Sequence, residues 1–226
     1  MLTNPPMNNT QLLNIKAIKA WFENFNTYYP YPNLKTQAEN YSYLLKINSL
    51  LPHKIEYKYI DCSYFIYLSI FHFNSNAASA LCKSIQKVET YLKKEYNIYI
   101  HSQYPLAVHF ALLAKSTTFW DNSMYDYFEL VDLDKLSPGT IVAWIFDSFL
   151  NPKNDRFILD YDTGHVGCIT SHIEDNSIEI CHSVPRKDDP KPKKQGGPCI
   201  TRLNSKGHIL ENIKRKQNGG AIRFKK

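Results

Sequence analysis

Apolar residues recur at helical spacing over Leu12, Leu13, Ile15, Ile18, Trp21, Phe22 and Phe25, behind Thr10, whose hydroxyl suits an N-cap. Tyr28-Tyr29-Pro30-Tyr31-Pro32 breaks that pattern. A second helical pattern covers about residues 34 to 50 and stops before Pro52. A third runs from about Asp61 to Phe73 with almost no charge in it, so the helix it predicts is expected to be buried. Ala77, Leu81, Ile85, Val88 and Leu92 mark a fourth helix near 76 to 95, and Pro105 opens a fifth that reaches about Ala114.

From Leu136 onward the pattern changes to short β-rich runs, TIVAWIF, HVGCITS, NSIEICHS, CITRL and AIRFKK, separated by Pro, Gly, Asn and Asp. Helices first and strands afterwards predict an α+β fold. Asp147 to Asp162 reads as a polar insertion between two strands, and Pro185 to Pro198 as a charged Pro/Gly loop suited to exposure. Neither marks a domain boundary. The expectation is one domain over residues 1–226, with a helical N-terminal elaboration over 1–50 and a helical insertion over 76–115.

Composition narrows the class. A chain of 226 residues, 43% hydrophobic and 14% aromatic, can bury a full core without metals or staples. Its first residues, MLTNPPMNNTQLL, lack the basic flank, apolar run and small-residue cleavage site of a signal peptide, and no stretch approaches the roughly twenty apolar residues of a membrane span. Synthesis in a cytoplasm is expected, with any export or injection left to a dedicated route. Cys62, Cys82, Cys168, Cys181 and Cys199 are odd in number and scattered, which favours thiols over a disulfide framework. Residues 186 to 226 hold 13 Lys or Arg against 3 acids, so any basic partner surface is C-terminal.

Cys62, in Tyr59-Ile60-Asp61-Cys62-Ser63-Tyr64, stands in the first turn of the buried third helix. Unpaired N–H groups and the helix dipole at that end favour the thiolate, the nucleophilic form. An isolated cysteine is more often a small core residue. Here it has company: His165 opens one β-run and His182 lies on the next. A thiol and an imidazole need a third group to fix the ring tautomer, and a second histidine can serve. A hairpin turning at Glu174-Asp175 puts His182 opposite Gly167 and diagonal to His165 on one face, within about 7–8 Å. Turning at Asp175-Asn176 keeps the face and moves His182 two residues farther away.

These residues carry a resemblance to the NlpC/P60 family of cysteine peptidases. Asp61-Cys62-Ser63 resembles the family's D-C-S-G nucleophile motif, and Gly164-His165-Val166-Gly167 resembles its H-V-G-I strand. Leu136-Ser137-Pro138-Gly139-Thr140-Ile141-Val142 is similar to the L-x-P-G-D-L-V segment leading into the first barrel strand. Ile180-Cys181-His182-Ser183 is similar to the strand bearing the third catalytic residue, and Gly220-Ala221-Ile222-Arg223-Phe224 to the closing strand. The resemblance covers Tyr57 to the end. It implies a papain-like antiparallel half-barrel packed on the nucleophile helix, and hydrolysis of amide bonds in bacterial cell-wall peptides. It further implies Cys62 as nucleophile, His165 as base and His182 as the orienting group. Asp61 and Ser63 would hold the substrate's free amine and carboxylate. The Cys62 N–H, with the hydroxyl of Tyr57 or Tyr59, would meet the oxyanion.

The chain departs from the family pattern at Tyr64, which replaces a small glycine, at Thr140, which replaces the usual Asp, and in the long stretch from Cys62 to Pro138. These departures leave room for an effector-type hydrolase, deamidase or acyltransferase acting on a protein or lipid, or for a non-enzymatic binding member of the fold. Cys168 and Cys181 fall opposite each other in the first register, on the face away from His165, and read as core thiols rather than metal ligands. No metal or other cofactor is expected. Lys191, Lys193 and Lys194 sit in a Pro-rich loop without interleaved aromatics, a pattern that suits an anionic polymer, such as cell-wall glycopeptide, better than specific nucleic-acid reading.

Overall fold

A computed structural model describes residues 61–100, 105–147, 149, 163–172, 177–184, 197–204 and 209–225. The two helices expected before residue 51, Tyr57, Tyr59, and Lys191, Lys193 and Lys194 lie outside the described residues, as do most of the two polar loops.

Helix α1 (Cys62–Phe73) ends on Asn74, whose backbone N–H bonds to the Ile70 carbonyl. The same Asn74 caps helix α2 (Ser75–Tyr96), its side chain accepting from the N–H groups of Asn76 and Ala77, so one residue closes one helix and opens the next. Asn97, in the left-handed region at φ 54°, terminates α2. Helix α3 (Ala107–Lys115) is apolar and buried over Ala107 to Ala114. A short 3₁₀ turn (Thr117–Phe119) and one turn of helix, α4 (Met124–Tyr127), lead into the sheet.

The sheet has six strands: β1 (Phe128–Val131), β2 (Ile141–Ile145), β3 (Gly164–His172), β4 (Ser177–Val184), β5 (Gly197–Asn204) and β6 (Gly219–Phe224). Their order is β1-β6-β2-β3-β4-β5, and every pairing is antiparallel. The α+β class is therefore as the pattern indicates. Besides the 3₁₀ turn and α4, two elements go beyond it. FELV, too short to display an alternation, adds β1 beside β6. The segment between the last two β-rich runs contains helix α5 (Ile209–Lys216), whose Ile213 is buried.

Two apolar clusters flank the sheet. The larger joins Phe65 and Ile66 of α1, Leu81 and Val88 of α2, and Phe110 and Leu113 of α3 to Ile141, Ala143, Val166, Cys168 and Ile222. Burying a side chain of that size is worth about 1.5–3 kcal/mol, so this layer dominates the cohesion of the fold. The smaller cluster gathers Val142, Ile169, Ile178 and Ala221 with Ile213 of α5. Strand alternation sorts neighbouring residues into the two clusters: Ile141 and Ala143 into one, Val142 into the other. Helix α3 lies against β2, β3 and β6, while α1 lies against β3 and β4.

Candidate active site

The start of α1 is built by Asp61. Its backbone is extended, and its Oδ1 accepts from the Tyr64 N–H at 2.7 Å and from the Ser63 hydroxyl at 2.8 Å. That satisfies one of the orphan donors of the first turn and fixes Cys62 as the first helical residue. Burial raises the Asp61 carboxyl above its ordinary 3.8, against the opposing pull of the bonds from Tyr64 and Ser63. Asp61 and Ser63, expected to face substrate, hold one another in the helix cap. Cys62 itself is 3% exposed.

The imidazoles are placed by register. Trp144 on β2 is opposite His165 on β3. Cys168 is opposite Cys181 and Ile169 opposite Ile180, and continuing that pairing toward the start of β3 sets Gly167 across from His182. The same pairing follows from a turn at Glu174-Asp175. Nearer the turn a bulge between Ile169 and Ser171 shifts it by one residue. His165 and His182 therefore share a face on the diagonal, and His165 Nε2 lies 2.6 Å from His182 Nδ1, with ring centroids 4.9 Å apart and planes at 80°. On β5, Thr201 pairs with Ile180, and its hydroxyl lies 2.8 Å from His182 Nε2. A hydrogen-bonded chain thus crosses three strands, from His165 through His182 to Thr201. The Trp144 ring packs 5.0 Å from that of His165.

Gly164, immediately before His165, runs so close to β2 that a Cβ there would stand 2.1 Å from the Trp144 carbonyl oxygen. Only glycine lets the strand begin at that point.

Both rings are held neutral. Burial, and then the neighbouring His182, push His165 well below its ordinary 6.5. Burial pushes His182 down to about 4. Near neutral pH each ring therefore has one protonated and one bare nitrogen, and the single hydrogen between the two rings links their tautomers.

Cys62 joins this arrangement through the packing of its helix. It belongs to the larger apolar cluster with Val166, Cys168 and Cys181. His165 and Gly167 alternate to the opposite face, that of Ile169 and the smaller cluster. His165 is the second residue of β3, at the strand's end. The structure thus brings His165 and His182 together directly, and lays the Cys62 helix against the strands that carry them.

Trp144 and Thr201 were not singled out in the sequence, although both lie in runs read there as strands. The β3–β4 hairpin register could be guessed from its short turn. The β4–β5 register, which puts Thr201 beside His182, is separated by a loop whose length leaves the pairing open. All five cysteines lie among the described residues and none is in a disulfide. Burial pushes the Cys168 thiol up to about 12 and also raises that of Cys82. Among the described residues no three His, Cys, Asp or Glu side chains converge as a metal would require, and no helix is long and apolar enough to cross a membrane.

The chain shows no significant match to any family model, curated protein or solved structure. Fold and site define it as an α+β protein whose antiparallel sheet carries a hydrogen-bonded histidine pair, with a cysteine at the start of the helix packed on that pair's strands.

Proposed function

We propose that this chain is a cysteine hydrolase of the NlpC/P60 type, with a papain-like core, that cleaves amide bonds in bacterial cell-wall peptides. The observation that carries the reading is the 2.6 Å contact between His165 and His182, the base-and-orienter pair that such a mechanism needs. The cysteine in the first turn of α1, with its helix against β3 and β4, supplies the nucleophile.

In this mechanism the neutral His165, hydrogen-bonded to His182 through Nε2, keeps Nδ1 bare. The Cys62 thiol gives its proton to that nitrogen as the sulfur attacks the scissile carbonyl carbon. The Cys62 backbone N–H, in the helix's first turn, meets the developing oxyanion in this mechanism. The adduct collapses, the C–N bond breaks, and His165 returns the proton to the departing amine. Water then attacks the thioester, giving a proton to His165, and the C–S bond breaks as the sulfur recovers it.

A second reading, a non-enzymatic binding member of the fold, has one observation in its favour: Cys62 is almost fully buried within an apolar cluster. Incubation with purified peptidoglycan peptides, beside a Cys62→Ala control, separates the two. A cut at an amide bond, identified by mass and absent from the control, supports the hydrolase. Intact peptides that nevertheless bind support the second reading.

A further inference from the structure

We infer that Thr201 is a positioning residue for His165, acting through His182 by accepting the hydrogen that His182 Nε2 must carry if His165 Nδ1 is to stay bare. The inference rests on the hydrolase reading for its catalytic consequence, but its structural content stands apart from it.

A single hydrogen occupies the 2.6 Å gap between His165 Nε2 and His182 Nδ1. If it belongs to His165, then His182 Nδ1 accepts, His182 carries its own hydrogen on Nε2, and Thr201 Oγ1 accepts that hydrogen across 2.8 Å. His165 Nδ1 is then bare, the state of a base. If the hydrogen belongs to His182 instead, His182 Nε2 is bare and His165 must carry its hydrogen on Nδ1, where it can take no proton from a thiol. The two neutral arrangements differ at the far end of the chain in one respect: whether His182 Nε2 holds a hydrogen that needs an acceptor.

His182 is 8% exposed, so a hydrogen on Nε2 without an acceptor would carry the cost of a buried unsatisfied donor. The Thr201 oxygen removes that cost; its hydroxyl can also donate to a bare Nε2, but a buried N–H left unmet costs more than a bare ring nitrogen left unmet, so the base-competent arrangement loses most when the oxygen is removed. Its strand holds it in place, since Thr201 is paired across from Ile180 on the neighbouring strand and diagonal to His182. Thr201 touches neither the thiol nor the base, and so acts only through His182.

The test uses the full-length protein with ¹⁵N-labelled imidazoles, together with Thr201→Val, which keeps the shape and removes the oxygen, and Thr201→Ser, which restores it. In the wild type the ring spectra should show His182 protonated on Nε2 and His165 bare on Nδ1. In Thr201→Val the populations should shift toward the opposite arrangement, and Thr201→Ser should restore them. Where Cys62-dependent cleavage is measurable, Thr201→Val should lower kcat by up to about tenfold, the rate equivalent of one lost hydrogen bond, with KM nearly unchanged. Thr201→Ser should recover most of it. A wild-type His182 protonated on Nδ1, a Thr201→Val spectrum like the wild type, or a Thr201→Ser variant as impaired as Thr201→Val would overturn the inference. A protein with the expected spectra but no Cys62-dependent cleavage contradicts the hydrolase reading and leaves the tautomer assignment standing.

Discussion

Gly167 and Ile180 are fitted so closely across β3 and β4 that a Cβ on Gly167 would stand 2.5 Å from Ile180 Cδ1 and 3.2 Å from the Cys181 carbonyl oxygen. The glycine lies across from His182 by continuation of the strand register, so the space it leaves is part of what lets the two imidazoles meet. Gly167→Ala should cost about 1–3 kcal/mol, as overpacking a full core does. Adding Ile180→Ala should recover part of that cost in a double-mutant cycle, because the isoleucine tip is the atom that must move. Strictly additive urea-unfolding energies would show that the two side chains do not compete for that space.

Acid should destabilise the fold through its buried histidines. His109, fully buried on α3, accepts from the Leu106 N–H through Nδ1 at 2.8 Å, while its Nε2 has no hydrogen-bond partner among the described residues and lies 3.8 Å from Glu89. Burial pushes its pKa down to about 3, and that of His182 down to about 4. Both folded values lie below the ordinary 6.5, so the unfolded chain binds more protons between them. Stability is complete above about pH 6.5 and falls as pH drops toward 4, by about 1.4 kcal/mol per pH unit for each group. Asp61, whose carboxyl is raised, runs the other way, its contribution present below 3.8 and lost as pH rises through its folded value. Urea midpoints from pH 7 to 4 check the balance. A flat profile would mean that these rings are not buried neutral.

In the proposed mechanism the two histidines are unequal. His165→Ala removes the base and should abolish nearly all turnover, whereas His182→Ala leaves a ring that finds the right tautomer part of the time. In the wild type the acid limb of kcat/KM should lie well below pH 6.5, because His165 is held neutral far into acid. An acid limb at 6.5 or above, or a His182→Ala variant as active as the wild type, would count against these roles.

Much of the site was legible in the sequence because it rests on local signals. The apolar, nearly uncharged run after Asp61 predicts a buried helix with Cys62 in its first turn, and the structure has both. The short β3–β4 connection left two registers open in the sequence, and the structure has the one that pairs Cys168 with Cys181 and sets His165 and His182 on the diagonal. Long-range pairings were hidden. β1 is four residues long and is held by β6, nearly a hundred residues later. Helix α5 has few apolar positions and depends on burying Ile213 against Val142, Ile169 and Ala221. Thr201 gains its meaning only from the pairing of β5 with β4.

The central claim is that Cys62 and His165 form one chemical unit, although strand alternation turns His165 away from the apolar cluster that holds the thiol. The most direct measurement is independent of any substrate: the rate of iodoacetamide alkylation of each cysteine at neutral pH, mapped by mass, in the wild type and in His165→Ala. Cys168, pushed up to about 12, and Cys82, also raised, serve as internal references. The account predicts that Cys62 reacts fastest of the five in the wild type and slows several-fold in His165→Ala, while the references stay unchanged. Alkylation of Cys62 no faster than of Cys82, or at a rate indifferent to His165, would contradict it.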